Sequence, residues 1–162
     1  SNGFSLVRKV LSLQGDVEEI VIGTESEKIS LIEKLLIPTT IYVDVVKAFL
    51  EAQLPVHGMA HITGGGLPEN LPRCLPKGFN AKIDPNSWEI PLIFNWLKNA
   101  GEIPTADLWN TFNLGVGFCV VLPALAVNDA IDICTQFGFK AWAIGHVEES
   151  SLDPGKLNGL PF

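Results

Sequence analysis

The most informative stretch of this chain is His61-Ile62-Thr63-Gly64-Gly65-Gly66-Leu67-Pro68-Glu69-Asn70-Leu71-Pro72-Arg73. Residues 55–62 have the pattern of a strand, and residues 68–71 are suited to open a helix. The three consecutive glycines permit φ > 0 and leave their N–H groups unshielded. Bare amides between a strand and a helix N-terminus attract negative charge, so this run predicts a cradle for a phosphate. A tight structural turn is the alternative, and spacing alone does not separate the two.

Histidines lie within and before this run. His61 ends the predicted strand beside the glycines, where an imidazole is placed to donate a hydrogen bond or to shuttle a proton. His57 shares the same strand face, is expected to lie deeper, and is assigned a structural role. His146 belongs to a later strand and is expected at the surface. Because nothing in the sequence brings His146 to the other two, a three-histidine metal site is not predicted.

Composition limits the class of protein. A chain of 162 residues suits one domain. Its 47% hydrophobic residues and mean hydropathy of +0.28 exceed what a solitary domain needs, so some surface is expected to meet a partner. A formal charge of −7 argues against binding to nucleic acid, which requires a concentrated basic patch. The three cysteines, Cys74, Cys119 and Cys134, are widely spaced and are expected to be buried reduced thiols rather than a disulfide framework or a zinc site.

Neither a membrane span nor a signal peptide is visible in the sequence. No apolar stretch approaches the roughly 20 residues that cross a bilayer, and residues 1–13 have the pattern of a helix rather than a leader. The expectation is therefore a soluble, cytoplasmic protein with no membrane contact.

Hydrophobic periodicity predicts an α+β fold with a mixed sheet flanked by helices. Predicted helices cover 4–13, 24–37, 44–50, 91–100 and 127–137, with a further turn near 105. Predicted strands cover 40–43, 55–62, 79–83, 116–122 and 141–147, and the 116–122 strand is expected to be central and buried on both faces. Residues 1–150 are expected to form the domain and residues 151–162 a loosely held tail.

Helix starts are predicted from capping residues. Asn2 or Ser5 is expected to cap the first helix, and Thr24 with Glu27 fits a capping box for the second. Asp44 is expected to cap the third helix. Thr105 or Asp107 is expected to cap the turn near 105.

Together these motifs resemble the C-terminal half of the aminoimidazole ribonucleotide synthetase family, also called phosphoribosylformylglycinamidine cyclo-ligases. The resemblance runs in order from residue 1 to about residue 150. It rests on Ser-Asn-Gly-Phe-Ser at residues 1–5, Pro-Thr-Thr-Ile-Tyr-Val at 38–43, the 61–73 run, and Thr-Phe-Asn-Leu-Gly-Val-Gly at 111–117. Residues 88–101 are similar to the family's tryptophan-containing helix, and residues 141–145 to its closing strand. Asn110 and Thr40 stand where the family often carries arginine, so no ionic role is assigned to them.

The resemblance implies an ATP-dependent ring closure in purine biosynthesis. ATP would phosphorylate the amide oxygen of formylglycinamidine ribonucleotide, and an internal nitrogen would then close the imidazole ring, releasing ADP and phosphate. In the family, the N-terminal domain supplies most of the ATP- and Mg²⁺-binding residues and the main homodimer interface. That domain is expected as a partner, since this sequence does not contain it.

Candidate site residues follow from the motifs and from the resemblance. His61 and Asn2 are the predicted catalytic residues. The predicted substrate- and phosphate-binding residues are Ser5, Thr63, Gly64, Gly65, Gly66, Asn70, Arg73, Thr111 and Asn113. An exposed ion pair with Glu69 is the alternative for Arg73, simple capping is the alternative for Asn2 and Ser5, and Gly117 is expected to serve packing. The tryptophans Trp88, Trp96, Trp109 and Trp142 are expected in the core or at an interface.

Two other functions remain open at this stage. The chain would bind a phosphorylated metabolite without chemistry if it were a regulatory module. A sister ATP-dependent enzyme, such as selenophosphate synthetase or formylglycinamidine ribonucleotide synthase, shares the glycine cradle, although the Thr-Phe-Asn block at 111–113 argues against it.

Overall fold

Short helices and shorter strands follow one another along the chain. The computed structural model describes residues 2–23, 28–150 and 156–162. The helices of these ranges are α1 (Phe4–Ser12), α2 (Leu31–Leu35), α3 (Val43–Glu51), α4 (Gly66–Asn70), α5 (Leu92–Ala100), α6 (Thr105–Thr111) and α7 (Val127–Gln136). The strands are β1 (Val21–Gly23), β2 (Lys28–Ser30), β3 (Gly58–His61), β4 (Phe79–Ile83), β5 (Phe118–Val121), β6 (Gly145–Glu149) and β7 (Leu157–Asn158).

The strands of the described residues pair in three small sheets. β1 pairs with β2 and β3 pairs with β5, both antiparallel. β4 lies between β6, which is antiparallel to it, and β7, which is parallel to it. The α+β class is confirmed, and the sheet of β6, β4 and β7 is mixed as predicted. The strands are divided among separate sheets instead of joining one.

Two clusters of buried side chains hold these elements together. In the larger cluster, α1 and α5 pack with β3, α4 and α6, and alternation along β3 buries Ala60 and Ile62 while His61 faces out. The smaller cluster joins α3 to α7 through Val45, Phe49 and Ala130. None of the helices in the described ranges is long and apolar enough to cross a membrane.

Several elements match their predicted positions. β4 occupies residues 79–83 as predicted, followed by a turn in which the amide of Asn86 donates to Asp84 Oδ1 over 2.9 Å. α5 begins after Pro91 and ends before Gly101, as the proline and glycine indicated. α7 ends before Gly138, whose φ is +76°.

The predicted strand at residues 40–43 is wrong. These residues run without a pairing strand, and α3 already begins at Val43. Asp44 therefore lies inside the first turn of α3 instead of capping it. β-branched residues favour a strand only where a neighbouring strand accepts their hydrogen bonds, and none of the described residues supplies one here.

The second helix is shorter than predicted. Ile29 lies in β2 opposite Ile22, and the helix begins only at Leu31. The spacing of apolar residues around Ile29 suits a helix as well as a strand. The pairing of Ile29 with Ile22 makes it part of a strand. The proposed capping box of Thr24 and Glu27 lies outside the described residues.

The end of the chain also differs from expectation. β5 pairs only with β3 among the described strands, so it is not a central strand. The last predicted strand begins at Gly145 and not at residue 141, and every residue of β6 is exposed. Part of the predicted loose tail is held, because Leu157 and Asn158 pair with β4 and the amide of Lys156 donates to Asn80 Oδ1 over 3.0 Å.

Candidate functional site

The candidate site lies at one end of the β3–β5 pair. In an antiparallel pair, the carboxyl end of one strand lies beside the amino end of the other. His61 is accordingly opposite Phe118, and the amide of Ile62 donates to the Gly117 carbonyl over 2.9 Å. The glycine run, residues 63–66, follows β3. This register places it next to the turn at residues 113–117 that precedes β5.

The glycine run forms a tight turn that leaves most of its amides unpaired among the described residues. Gly65 and Gly66 have φ of +89° and +58°, conformations that favour glycine. Only the Gly66 amide bonds within the turn, to the Thr63 carbonyl at 3.0 Å. Within the part of the chain that the structure describes, the amides of Thr63, Gly64 and Gly65 have no hydrogen-bond partner. Three unpaired donors are thus offered to a ligand or to water.

Asn70 fixes the inner side of this turn. Its side chain is only 5% exposed, and its Nδ2 donates to the carbonyls of Gly64 at 2.9 Å and Gly66 at 2.8 Å. Both carbonyls are therefore used inside the fold, which leaves the amides as the free groups of the turn. Asn70 was predicted to bind phosphate; in the structure its side-chain amide donates to the backbone of the turn.

Gly66 also anchors the turn to α6. A Cβ atom at this position would overlap the Trp109 carbonyl and would stand 2.7 Å from the Phe112 carbonyl. Backbone carbonyls at the end of a helix cannot move aside as a flexible side chain can. Glycine at this position is thus required by packing as well as by its φ angle.

Asn2 and Thr111 meet beside the glycine run. Asn2 Nδ2 donates to the Thr111 carbonyl over 2.6 Å and would lie 3.8 Å from a Cβ at Gly64. The predicted capping role of Asn2 and Ser5 is wrong, since Gly3 is the N-cap of α1 and no side chain caps it. The side-chain amide of Asn2 donates to Thr111 instead of to the start of α1. Ser5 is exposed on the first turn of α1.

Asn113 shapes the neighbouring turn. Its Oδ1 accepts from the Gly115 amide at 3.1 Å, and its carbonyl accepts from the Val116 amide at 3.0 Å. Trp88 Nε1 secures the turn by donating to the Leu114 carbonyl over 2.9 Å. Gly117 serves packing as predicted, because a Cβ there would overlap the Tyr42 hydroxyl.

Arg73 lies at the exposed edge of the site. Its guanidinium pairs with the Glu69 carboxylate, and both side chains are about 60% exposed. The structure therefore contains the exposed ion pair with Glu69 that was the alternative prediction for Arg73. Exposed ion pairs contribute at most about 1 kcal/mol to the free energy of folding. Breaking this pair so that Arg73 can bind an anion would therefore cost little free energy.

The three histidines lie in separate surroundings. His61 is exposed at the end of β3 and contacts Tyr42 and Phe118, with ring centroids 5.7 and 6.2 Å apart. The expectation that His57 lies deeper is wrong, since it is exposed just before β3, at the opposite end of the strand. His146 is exposed on β6, where its Nε2 lies 3.7 Å from the Glu148 carboxylate. Among the described residues, no three His, Cys, Asp or Glu side chains are grouped to hold a metal.

Burial raises the pKa of the three cysteine thiols and of Tyr42. It raises the pKa of the Cys119 thiol to about 12. All three cysteines are free; Cys119 is buried, and Cys74 and Cys134 are only partly so. Tyr42 was absent from the sequence-based candidates, although it lies within the family-like block at 38–43.

Comparison with known proteins identifies the family of the chain. A family model described as "AIR synthase related protein, C-terminal domain" matches residues 1–153. The chain belongs to this family. The resemblance drawn from the sequence motifs is thereby confirmed.

Over the aligned residues, three curated relatives are more than half identical to the chain. A phosphoribosylformylglycinamidine cyclo-ligase of Prochlorococcus marinus (strain MIT 9211) is 57% identical over 163 residues, which is 99% of this chain and 46% of the relative. The cyclo-ligase of strain MIT 9313 is 55% identical over 162 residues, with the same coverage. That of Synechococcus sp. (strain CC9311) is 52% identical over 163 residues, again covering 99% and 46%. The chain thus spans about half the length of the curated relatives it matches.

Proposed function

We propose that this chain is the C-terminal part of an ATP-dependent phosphoribosylformylglycinamidine cyclo-ligase. The observation that carries the proposal is the 57% identity across 99% of the chain to a protein of that name. The unpaired amides of Thr63, Gly64 and Gly65 support it, because a ribonucleotide substrate and ATP both bring phosphate oxygens.

In the proposed reaction, ATP phosphorylates the amide oxygen of formylglycinamidine ribonucleotide. The internal nitrogen then attacks the activated carbon, the imidazole ring closes, and the phosphate leaves with the former amide oxygen. The products are aminoimidazole ribonucleotide, ADP and phosphate. Such a reaction depends on holding the flexible substrate so that the nitrogen and the carbon are adjacent.

Within this scheme, the glycine run anchors a phosphate through backbone amides. Asn70 keeps the Gly64 and Gly66 carbonyls away from the anion, which would otherwise meet their negative ends. Arg73 adds a cation at the rim once it leaves Glu69. Ser5 and Thr111 offer hydroxyl groups, and Asn113 maintains the adjacent turn.

His61 and Asn2 are the proposed catalytic residues. The imidazole of His61 is exposed at the end of β3, with Ile62 and Thr63 between it and Gly64, and there it can carry a proton during ring closure. Asn2 lies beside Gly64, and its side-chain amide donates to the Thr111 carbonyl. Its Oδ1 is the atom we assign to the substrate.

The remaining parts of the activity belong to the N-terminal portion that the relatives carry. We propose that this portion supplies most contacts to ATP and Mg²⁺, that the whole enzyme is a homodimer, and that it works in the cytoplasm.

The cradle is tested by a substitution that blocks it without disturbing the fold. Gly64 is exposed, and a Cβ there would meet only Asn2, at 3.8 Å. Gly64→Val should therefore fold and should bind formylglycinamidine ribonucleotide or inorganic phosphate at least about tenfold more weakly, a loss of about 1.4 kcal/mol. The matched control is Gly15→Val, at a glycine with no neighbour within 4 Å, which should bind like the unaltered protein.

The measurement is calorimetry together with the backbone amide NMR spectrum. Ligand should shift the amide resonances of Thr63, Gly64 and Gly65 first. Equal affinity in Gly64→Val and Gly15→Val, or shifts confined to another surface, would contradict the cradle. Turnover is measured separately, after joining the chain to the N-terminal half of a relative; ligand binding without turnover in that joined enzyme would favour a metabolite-binding module over the cyclo-ligase.

A further inference from the structure

Tyr42 lies at the centre of a group of rings beside the candidate site. Its ring centroid is 5.7 Å from that of His61, 5.1 Å from Phe118 and 5.7 Å from Phe139. The Phe139 ring is stacked on it, and the His61 ring meets it edge to face. These are the separations and angles at which aromatic rings attract one another.

In the described part of the chain, the imidazole of His61 is contacted by the rings of Tyr42 and Phe118 and is held by no polar partner. Its side chain is exposed, and no hydrogen bond or ion pair to another described residue holds the imidazole. An exposed side chain of this kind rotates freely among its rotamers unless neighbours restrict it. Phe118, its partner across the β3–β5 pair, restricts it from one side, and Tyr42 restricts it from another.

The backbone leaves room for the phenol at this place. Gly117 has ordinary backbone angles, yet a Cβ there would overlap the Tyr42 hydroxyl, so glycine is needed for space alone. The Gly117 carbonyl also accepts the amide of Ile62, the residue between His61 and the glycine run. One glycine therefore connects the tyrosine to the backbone that leads into the cradle.

We propose that Tyr42 is a positioning residue that holds the imidazole of His61 at the edge of the glycine run. Phe139 supports the tyrosine ring from the second hydrophobic cluster, and Gly117 admits its hydroxyl end. The catalytic use of the held imidazole rests on the proposed function; the contact itself does not.

The experiment uses NMR of the full chain, in which Tyr42 is the only tyrosine and His61 one of three histidines. We expect nuclear Overhauser effects between the ring protons of Tyr42 and His61 in the unaltered protein. Tyr42→Leu should shift the ring resonances of His61 and average the three-bond couplings that report its χ1 rotamer, and it should leave the resonances and couplings of His57 and His146 in place. Tyr42→Phe keeps the ring and should restore the His61 resonances.

Two results would overturn the proposal. One is the absence of ring-to-ring effects in the unaltered protein, which decides the matter even if Tyr42→Leu does not fold. The other is a folded Tyr42→Leu protein in which the couplings that report the χ1 rotamer of His61 match those of the unaltered protein. Failure of the proposed function looks different, since phosphate would then leave the amides of Thr63 to Gly65 unshifted while His61 still responded to Tyr42.

Discussion

At the scale of single residues, the glycine run is specialised position by position. Gly64 is exposed and open, Gly65 adopts a positive φ, and Gly66 combines a positive φ with a close approach to α6. The three glycines therefore tolerate substitution to different degrees. Gly64 is the one of the three with open space beside it, whereas Gly66 belongs to the packing of the domain.

Gly66→Ala should be strongly destabilising. The added methyl group would strain a φ of +58° and overlap the Trp109 carbonyl, so we expect a loss of at least about 2 kcal/mol in the free energy of unfolding. Gly138→Ala is the matched control, because its φ is +76° but nothing lies within 4 Å, and strain alone should cost about 1 kcal/mol. Urea unfolding monitored by circular dichroism measures both, and equal losses would contradict the role assigned to the α6 contact.

At the scale of elements, two tryptophans differ in the use of their N–H groups. Trp88 Nε1 holds the turn before β5 through the Leu114 carbonyl. Trp142 Nε1 is buried without a hydrogen-bond partner among the described residues. A buried donor that lacks a partner costs free energy, whereas a satisfied one leaves its acceptor unpaired when removed.

The same substitution at both tryptophans should therefore have unequal effects. Trp88→Phe should cost about 1–3 kcal/mol, because it leaves the carbonyl of a buried leucine unpaired. In Trp142→Phe, losing the orphaned N–H offsets part of the lost packing, and we expect a change below about 1 kcal/mol. Chemical denaturation of the two variants provides the comparison. A larger loss in Trp142→Phe would show that its N–H has a partner after all.

Elements with long apolar periodicity were predictable from sequence. The patterns for α1, α5, α7 and β4 needed only local information, and α5 and α7 also carried proline or glycine signals at their ends. Short segments were not predictable in this way. Residues 40–43 have strand propensity but no strand to pair with, and Ile29 pairs with Ile22 although its spacing suits a helix.

The candidate site divides along the same line. The glycine run and His61 stood out because they are adjacent in sequence. Asn2 and Thr111 were selected singly, but the hydrogen bond between them spans 109 residues and no local pattern predicts it. The contact of Tyr42 with His61 also depends on the register of β3 and β5, which single-sequence reasoning does not supply.

At the scale of the whole molecule, buried thiols should make stability depend on alkaline pH. Burial raises the pKa of Cys119 from an ordinary 9.0 to about 12, because the folded state disfavours the thiolate. The unfolded chain loses this proton first, so the stabilisation is complete below about pH 9 and declines as the pH rises towards 12. The raised pKa values of Cys74, Cys134 and Tyr42 act in the same direction.

Unfolding free energies measured across this alkaline range should therefore fall with pH in the unaltered protein. Cys119→Ala should flatten the decline, whatever its effect on stability at neutral pH. Cys134→Ala is the control, and it should keep most of the slope because its thiol is only partly buried. An identical slope in Cys119→Ala and the unaltered protein would remove the buried thiol as the cause.

The molecule also carries an uncovered apolar segment. Leu36, Ile37, Ile41 and Val43 are 75%, 59%, 76% and 55% exposed, and they flank the half-buried Tyr42. Exposed apolar side chains so close together are typical of a surface that meets a partner. Overall hydropathy led us to expect a surface that meets a partner, and this segment has the exposed apolar side chains that such a surface needs.

The parallel pairing of β7 with β4 has a practical consequence for handling the protein. Residues near the end of the chain hold on to β4, a strand some seventy residues earlier. Leu157 pairs with β4, and the amide of Lys156 donates to Asn80 Oδ1. Shortening the polypeptide before residue 156 would bare one edge of β4 and invite intermolecular strand addition. Affinity tags are therefore better joined beyond Phe162 by a flexible spacer than substituted for these final residues.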